Sequence, residues 1–220
     1  MELSKNNKKQ LLELVRDVLP AGVFCIYIRQ AEPLGLGHAV LCAKPVIGSE
    51  PFAVLLADDL IDGGEKGCLT QMVELYSRYN CGVLAVETVP REDTNKYGIV
   101  VSQSIEPRVG KVQSIVEKPK PEVAPSTLAV VGRYILPANI MGLLEETQKG
   151  AGGEIQLTDA IAKLLERRTV LSLEFEGKRY DCGSKLGYLQ ATVEYALRHP
   201  ELKKDFSAYL RTLKLDNREE

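Results

Sequence analysis

Apolar positions along this chain follow two rhythms. Leu11, Leu14, Val15 and Val18 fall three or four apart and predict an amphipathic helix, which Pro20 and Gly22 bring to an end. Residues 23–28 are β-prone. The run Phe52-Ala53-Val54-Leu55-Leu56-Ala57 is apolar throughout and stops at Asp58-Asp59, which predicts a fully buried strand with carboxylates at its carboxyl end. Leu69, Met72, Val73 and Tyr76 predict a helix facing the core, and residues 81–89 a further strand, so that strand, helix and strand form a right-handed parallel crossover.

Beyond this point the rhythm is mostly strand-like. Residues 97–101, 112–116 and 127–136 are β-prone and separated by turn residues or prolines, which predicts a mixed, partly antiparallel region. Pro119, Pro121 and Pro125 stiffen the link between two of these strands and leave Glu117 and Lys118 at a strand end. Two amphipathic helices are predicted over 138–148 and 157–168. Residues 170–175 and 178–180 predict a hairpin across Glu176-Gly177 that delivers Asp181 at its end. Ser184 caps a helix carrying Leu189, Val193, Ala196 and Leu197, and Leu202, Phe206, Tyr209, Leu210 and Leu213 mark a last one. The order of elements predicts an α/β fold with a doubly wound, mixed sheet, divided into a core over 1–190 and a helical appendage over 191–220.

Composition narrows the function classes. The 220 residues carry 28 basic and 30 acidic side chains with the signs interspersed, which argues against nonspecific binding to nucleic acid and makes any phosphate site local. No apolar run approaches the length of a membrane span, and the first nine residues lack the apolar core of a signal peptide, so the cytoplasm is the expected location. Five cysteines without a Cys-x-x-Cys pair read as reduced core residues, and His38 and His199 lack the spacing of a zinc site.

Candidate chemistry gathers in a few places. Arg29-Gln30-Ala31-Glu32-Pro33-Leu34-Gly35-Leu36-Gly37-His38 opens a predicted helix over 37–44, whose first amides would face a ligand. On these residues alone a plain strand-to-helix connection is the favoured reading, because short glycine motifs recur by chance. Asp58 could equally cap the end of its strand and Asp181 could equally be a turn residue before Gly183, while Glu117-Lys118 on sequence alone reads as a surface ion pair. Asp59, by strand alternation, turns to the face opposite Asp58.

Taken in order, the Arg29–His38 segment, the strand ending in Asp58, Glu117-Lys118-Pro119, Gly153-Glu154-Ile155-Gln156-Leu157-Thr158-Asp159 and Tyr180-Asp181-Cys182-Gly183 resemble the sugar nucleotidyltransferases, from about residue 10 to about residue 213. These enzymes join a sugar 1-phosphate to a nucleoside triphosphate, and the likeness is to the branch that uses UTP and glucose 1-phosphate. The resemblance implies a Rossmann-like mixed sheet and uridylyl transfer giving UDP-glucose and pyrophosphate. It implies Mg2+ held by Asp58 and Asp181, and catalysis by Asp58, Lys118 and Asp181. Substrate contacts are implied for Gln30, Gly35, Gly37, His38, Gly98, Glu117 and Gly132, with Gln30 and the two loop glycines at the uridine and Glu117, Lys118, Gly98 and Gly132 at the sugar and its phosphate.

Members of this family open with a strand and a Gly-x-Gly-Thr-Arg loop around the triphosphate, and these 220 residues contain no such motif. The expectation is a sheet short of one strand and a chain impaired in turnover, or else one piece of a split enzyme or a non-catalytic UDP-sugar-binding module. The apolar face of the last helix and the exposed sheet edge further predict a homo-oligomer.

Overall fold

The computed structural model describes residues 9–213 apart from residues 17, 19 and 21. It divides into two compact units, Met1–Ala31 and Glu32–Glu220. In the first, helix α1 (Lys9–Arg16) ends before Val18. The strand predicted over 23–28 does not form: Phe24 and Tyr27 are 90% and 95% exposed, and no strand among the described residues supplies the ladder that β structure requires.

The second unit holds α2 (Leu36–Cys42), α3 (Lys44–Ile47), β1 (Phe52–Leu55), β2 (Asp59–Asp62), α4 (Cys68–Tyr79), β3 (Gly82–Thr88) and a 3-10 turn, Arg91–Lys96. Then come β4 (Gly98–Glu106), β5 (Val109–Glu117), β6 (Leu128–Leu136), α5 (Ile140–Glu145), α6 (Leu157–Leu165), β7 (Val170–Glu174), β8 (Lys178–Asp181), α7 (Lys185–Arg198) and α8 (Lys203–Thr212).

Six strands form one sheet in the order β1-β6-β3-β7-β5-β4, and β2 pairs with β8 in a second, two-stranded sheet. β3 and β7 are parallel, and the other described pairings are antiparallel. β1 and β3 therefore run the same way with β6 reversed between them, so the predicted crossover joins strands that are not neighbours.

β3 explains the layering. Its side chains alternate, so Leu84 and Val86 enter a core with α5 and α6, where Leu144, Ile161 and Leu164 are fully buried, while Val83 and Ala85 enter a second core with Met72 and Leu75 of α4. Within α4 the buried stripe runs through Cys68, Met72 and Leu75, whereas Val73, expected to face the core, is 46% exposed.

Three further expectations are corrected. β1 is an edge strand with an alternating pattern, Phe52 and Val54 half-buried and Ala53 and Leu55 exposed, because among the described residues only β6 pairs with it. The predicted 170–180 hairpin opens instead into two sheets. Gln71 accepts a hydrogen bond from the Glu176 amide at 2.8 Å and donates to the Glu176 carbonyl at 2.8 Å, so the turn's backbone is satisfied by α4 and the two strands part. The cysteines are unpaired, but only Cys68 is buried, and Cys25 is exposed.

Near the carboxyl end, Ser184 caps α7 as predicted, accepting the Gly187 amide at 3.0 Å. α7 runs unbroken through residues 190 and 191.

Candidate active site

The small β2–β8 sheet sets out the acidic groups. Its register places Asp59 opposite Asp181, and the Cys182 amide donates to the Asp58 carbonyl at 2.8 Å, which fixes the two strand ends side by side. Asp58 Oδ2 and Asp181 Oδ1 each lie 3.1 Å from the point where a β-carbon on Gly183 would stand. Glycine keeps that space between the two carboxylates open. Asp181 Oδ1 also accepts the Gly183 amide at 3.1 Å.

Asp59 behaves differently from its neighbour. It is buried and forms an ion pair with Arg179, while its Oδ2 accepts the Gly132 amide at 3.0 Å. Gly132 has no room for a side chain, since a β-carbon there would come within 2.4 Å of Asp59 Oδ2 and 2.7 Å of Leu56 Cβ. Arg133 ties the same strand to the Asp58-Asp59 turn by donating to the carbonyls of Leu56 at 2.9 Å and Asp59 at 2.6 Å. Burial works against the charge of Arg179, but the Tyr97 hydroxyl and the Asp59 carboxylate outweigh it and hold the guanidinium above its usual range.

Asp58, Asp59, Asp181, Gly98, Glu117, Lys118 and Gly132 all line one cavity of about 330 Å³, within the range of small-molecule sites. Glu117, the last residue of β5, lines the same cavity, and its Oε2 accepts the Thr158 hydroxyl at 2.6 Å. Gly98 pairs in register with Glu117. Lys118, with φ of 43°, leaves the strand in a left-handed turn held by its amide on the Tyr97 carbonyl at 2.9 Å, and its ammonium lies 3.6 Å from Glu117. Tyr134 also lines the cavity, and burial, then the charges of Glu117 and Asp59, push its phenol up and keep it neutral.

Gly35 and Gly37 have a packing duty. A β-carbon would come within 2.7 Å of Glu154 Cβ at Gly35 and within 2.6 Å of the Ile155 carbonyl at Gly37. The Gly37 amide, expected to face a ligand, donates instead to the Ile155 carbonyl at 2.9 Å. His38 is half-buried with Nδ1 3.9 Å from the Cys42 sulfur, and Gln30 belongs to the first unit.

The cavity carries more carboxylates than uncommitted cations, because Arg179 is paired within the protein and Lys96 lies 2.6 Å from Asp93. Such a site receives polyanions only with added positive charge. Among the described residues no group of three or more His, Cys, Asp or Glu side chains forms a complete metal cage. Two carboxylates on an open space nevertheless suit a hard divalent cation that completes its shell with phosphate oxygens and water. Sequence reading missed Arg179, Tyr97, Thr158 and Tyr134. The spacing of Arg179, two before Asp181 on one strand, was a signal that both share a face.

A mixed α/β sheet that sets a carboxylate-rich cavity beside a Glu-Lys strand end defines a small-molecule-binding class of protein. The chain belongs to the nucleotidyl transferase family, whose profile matches residues 3–197. It is 47% identical over 192 residues to the UTP–glucose-1-phosphate uridylyltransferase of Pseudomonas aeruginosa, covering 87% of this chain and 68% of that one. It is 46% identical over 215 residues to the Escherichia coli protein of that name, covering 94% and 70%. Among solved structures, UTP-bound UGPase from Acinetobacter baumannii aligns with a TM-score of 0.86 at 45% identity, covering 97% and 74%. A UDP-glucose pyrophosphorylase complexed with UDP-glucose aligns with a TM-score of 0.82 at 43% identity, covering 88% and 73%.

Proposed function

We propose that the chain serves uridylyl transfer from UTP to glucose 1-phosphate, giving UDP-glucose and pyrophosphate. The observation that carries this reading is the pair Asp58 and Asp181 bracketing the open space at Gly183, in the same cavity as Glu117 and Lys118. Relatives 44–47% identical bear the corresponding name.

In the reaction a phosphate oxygen of glucose 1-phosphate attacks the α-phosphorus of UTP. One P–O bond forms, the bond to the bridging oxygen of the β-phosphate breaks, and its electron pair leaves with pyrophosphate. Little proton transfer is needed, so alignment and charge stabilisation dominate. Glu117, oriented by Thr158, accepts hydrogen bonds from sugar hydroxyls, and Lys118 meets the sugar phosphate as a point charge. Gly98 and Gly132 keep the walls beside the sugar free of side chains. Gly35 and Gly37 shape the loop beneath the nucleotide, and His38 positions that loop. Asp58 and Asp181 hold Mg2+, which when bound neutralises growing phosphate charge. The reading places the chain in the cytoplasm, where nucleoside triphosphates are made, and in a homo-oligomer. It also keeps the division into a transferase core over 1–190 and a helical appendage over 191–220.

Calorimetric titration of UDP-glucose in the presence of Mg2+ tests the proposal. Binding weakened at least about tenfold by Asp58→Asn, and separately by Glu117→Gln, is expected. Absence of any UDP-glucose binding by the unaltered chain would end it.

A further inference from the structure

We propose that Tyr97 and Arg179 are positioning residues that hold the Asp181 carboxylate in the orientation a metal requires; the proposal rests on the metal-dependent reading above. Arg179 and Asp181 lie two apart on β8 and so project from one face. Arg179 is anchored first. In its ion pair with Asp59 the two side chains are only 8% and 9% exposed, and Glu87 lies 3.7 Å from Nη1. From that anchor the guanidinium lies 5.1 Å from the centre of the Tyr97 ring and donates from Nη1 to the Tyr97 oxygen at 3.4 Å.

Donor counting then gives the hydroxyl a direction. A guanidinium can only donate, so Tyr97 accepts from Arg179 and has a single proton left to give. The acceptor it faces is Asp181 Oδ2, at 3.4 Å. Asp181 therefore has one donor on each oxygen, the Gly183 amide on Oδ1 and Tyr97 on Oδ2, and keeps lone pairs on both for a further partner. Both contacts to the hydroxyl are long for hydrogen bonds. Removing a group that orients a metal's ligand typically costs about 10–100-fold in metal affinity or activity.

The experiment is a titration of Mn2+ into the chain with UDP-glucose present, followed by electron paramagnetic resonance. Tyr97→Phe keeps the ring and removes the hydroxyl. It is expected to weaken Mn2+ binding by about tenfold while UDP-glucose affinity in chelator and the unfolding midpoint stay unchanged. In an Asp181→Asn background the same change should add nothing. Wild-type Mn2+ affinity in Tyr97→Phe, with affinity lost in Asp181→Asn, would overturn the positioning role alone. Wild-type affinity in Asp181→Asn would overturn the metal reading and this proposal with it.

Discussion

Arg179 and Asp59, 120 positions apart, form an ion pair that is almost wholly removed from water, and it divides the labour of two adjacent aspartates. Asp59 is consumed by structure, while its exposed neighbour Asp58 faces Asp181 across Gly183. Asp59→Asn should therefore strand a buried guanidinium and cost about 3 kcal/mol, lowering the unfolding midpoint by roughly 5–10 °C. Asp58→Asn should leave the midpoint in place and remove metal-dependent nucleotide binding. Calorimetric unfolding beside ligand titration separates the two, and equal effects on both readouts would show that the roles are misassigned.

Thr158 holds Glu117 through a 2.6 Å hydrogen bond. Thr158→Val, close to it in shape, should weaken glucose 1-phosphate binding by about tenfold with little change in affinity for UTP, since a hydrogen bond to a charged group contributes about 1.5–3 kcal/mol. An equal loss for both substrates, measured by calorimetry, would place Glu117 away from the sugar.

Burial pushes the Cys68 thiol up to about 11, so at pH 8 about one molecule in a thousand carries its thiolate. Cys25, by contrast, is exposed. Brief treatment with iodoacetamide at pH 8, read by peptide mass spectrometry, should modify Cys25 and spare Cys68 until the protein is unfolded. Prompt labelling of Cys68 in the native chain would contradict its buried place.

On α8 and just before it, Tyr209 and Leu202 are 57% and 50% exposed, and Phe206 packs 6.3 Å from Tyr209. An apolar strip of this kind suits a second copy of the chain. Light scattering should find a dimer or larger species at micromolar concentration, and Tyr209→Glu should reduce it to monomer with its circular dichroism intact. A monomeric wild type would show that the strip serves no self-association.

Local chemistry was legible without coordinates. The helical stripe of α6, that of α4 apart from Val73, the strands from β3 to β6, the Ser184 cap and the carboxylates at 58 and 181 all follow from side-chain period and turn residues, which act within a few positions of the chain. Pairing was not legible, because a strand's sequence does not name its neighbour. Thus β7 and β8 looked like a hairpin until Gln71 took both backbone groups of Glu176, and the apolar run at β1 looked buried although the sheet leaves it at an edge. Residues 23–28 had the composition of a strand and no described partner to make them one. The same limit hid Arg179: its charge was visible, but only the register of β2 against β8 brought it to Asp59, and only the packing of Tyr97 gave the pair a route to Asp181. Side-chain period belongs to the sequence, whereas which charge meets which is decided by contacts between residues far apart in the chain, and those exist only once it has folded.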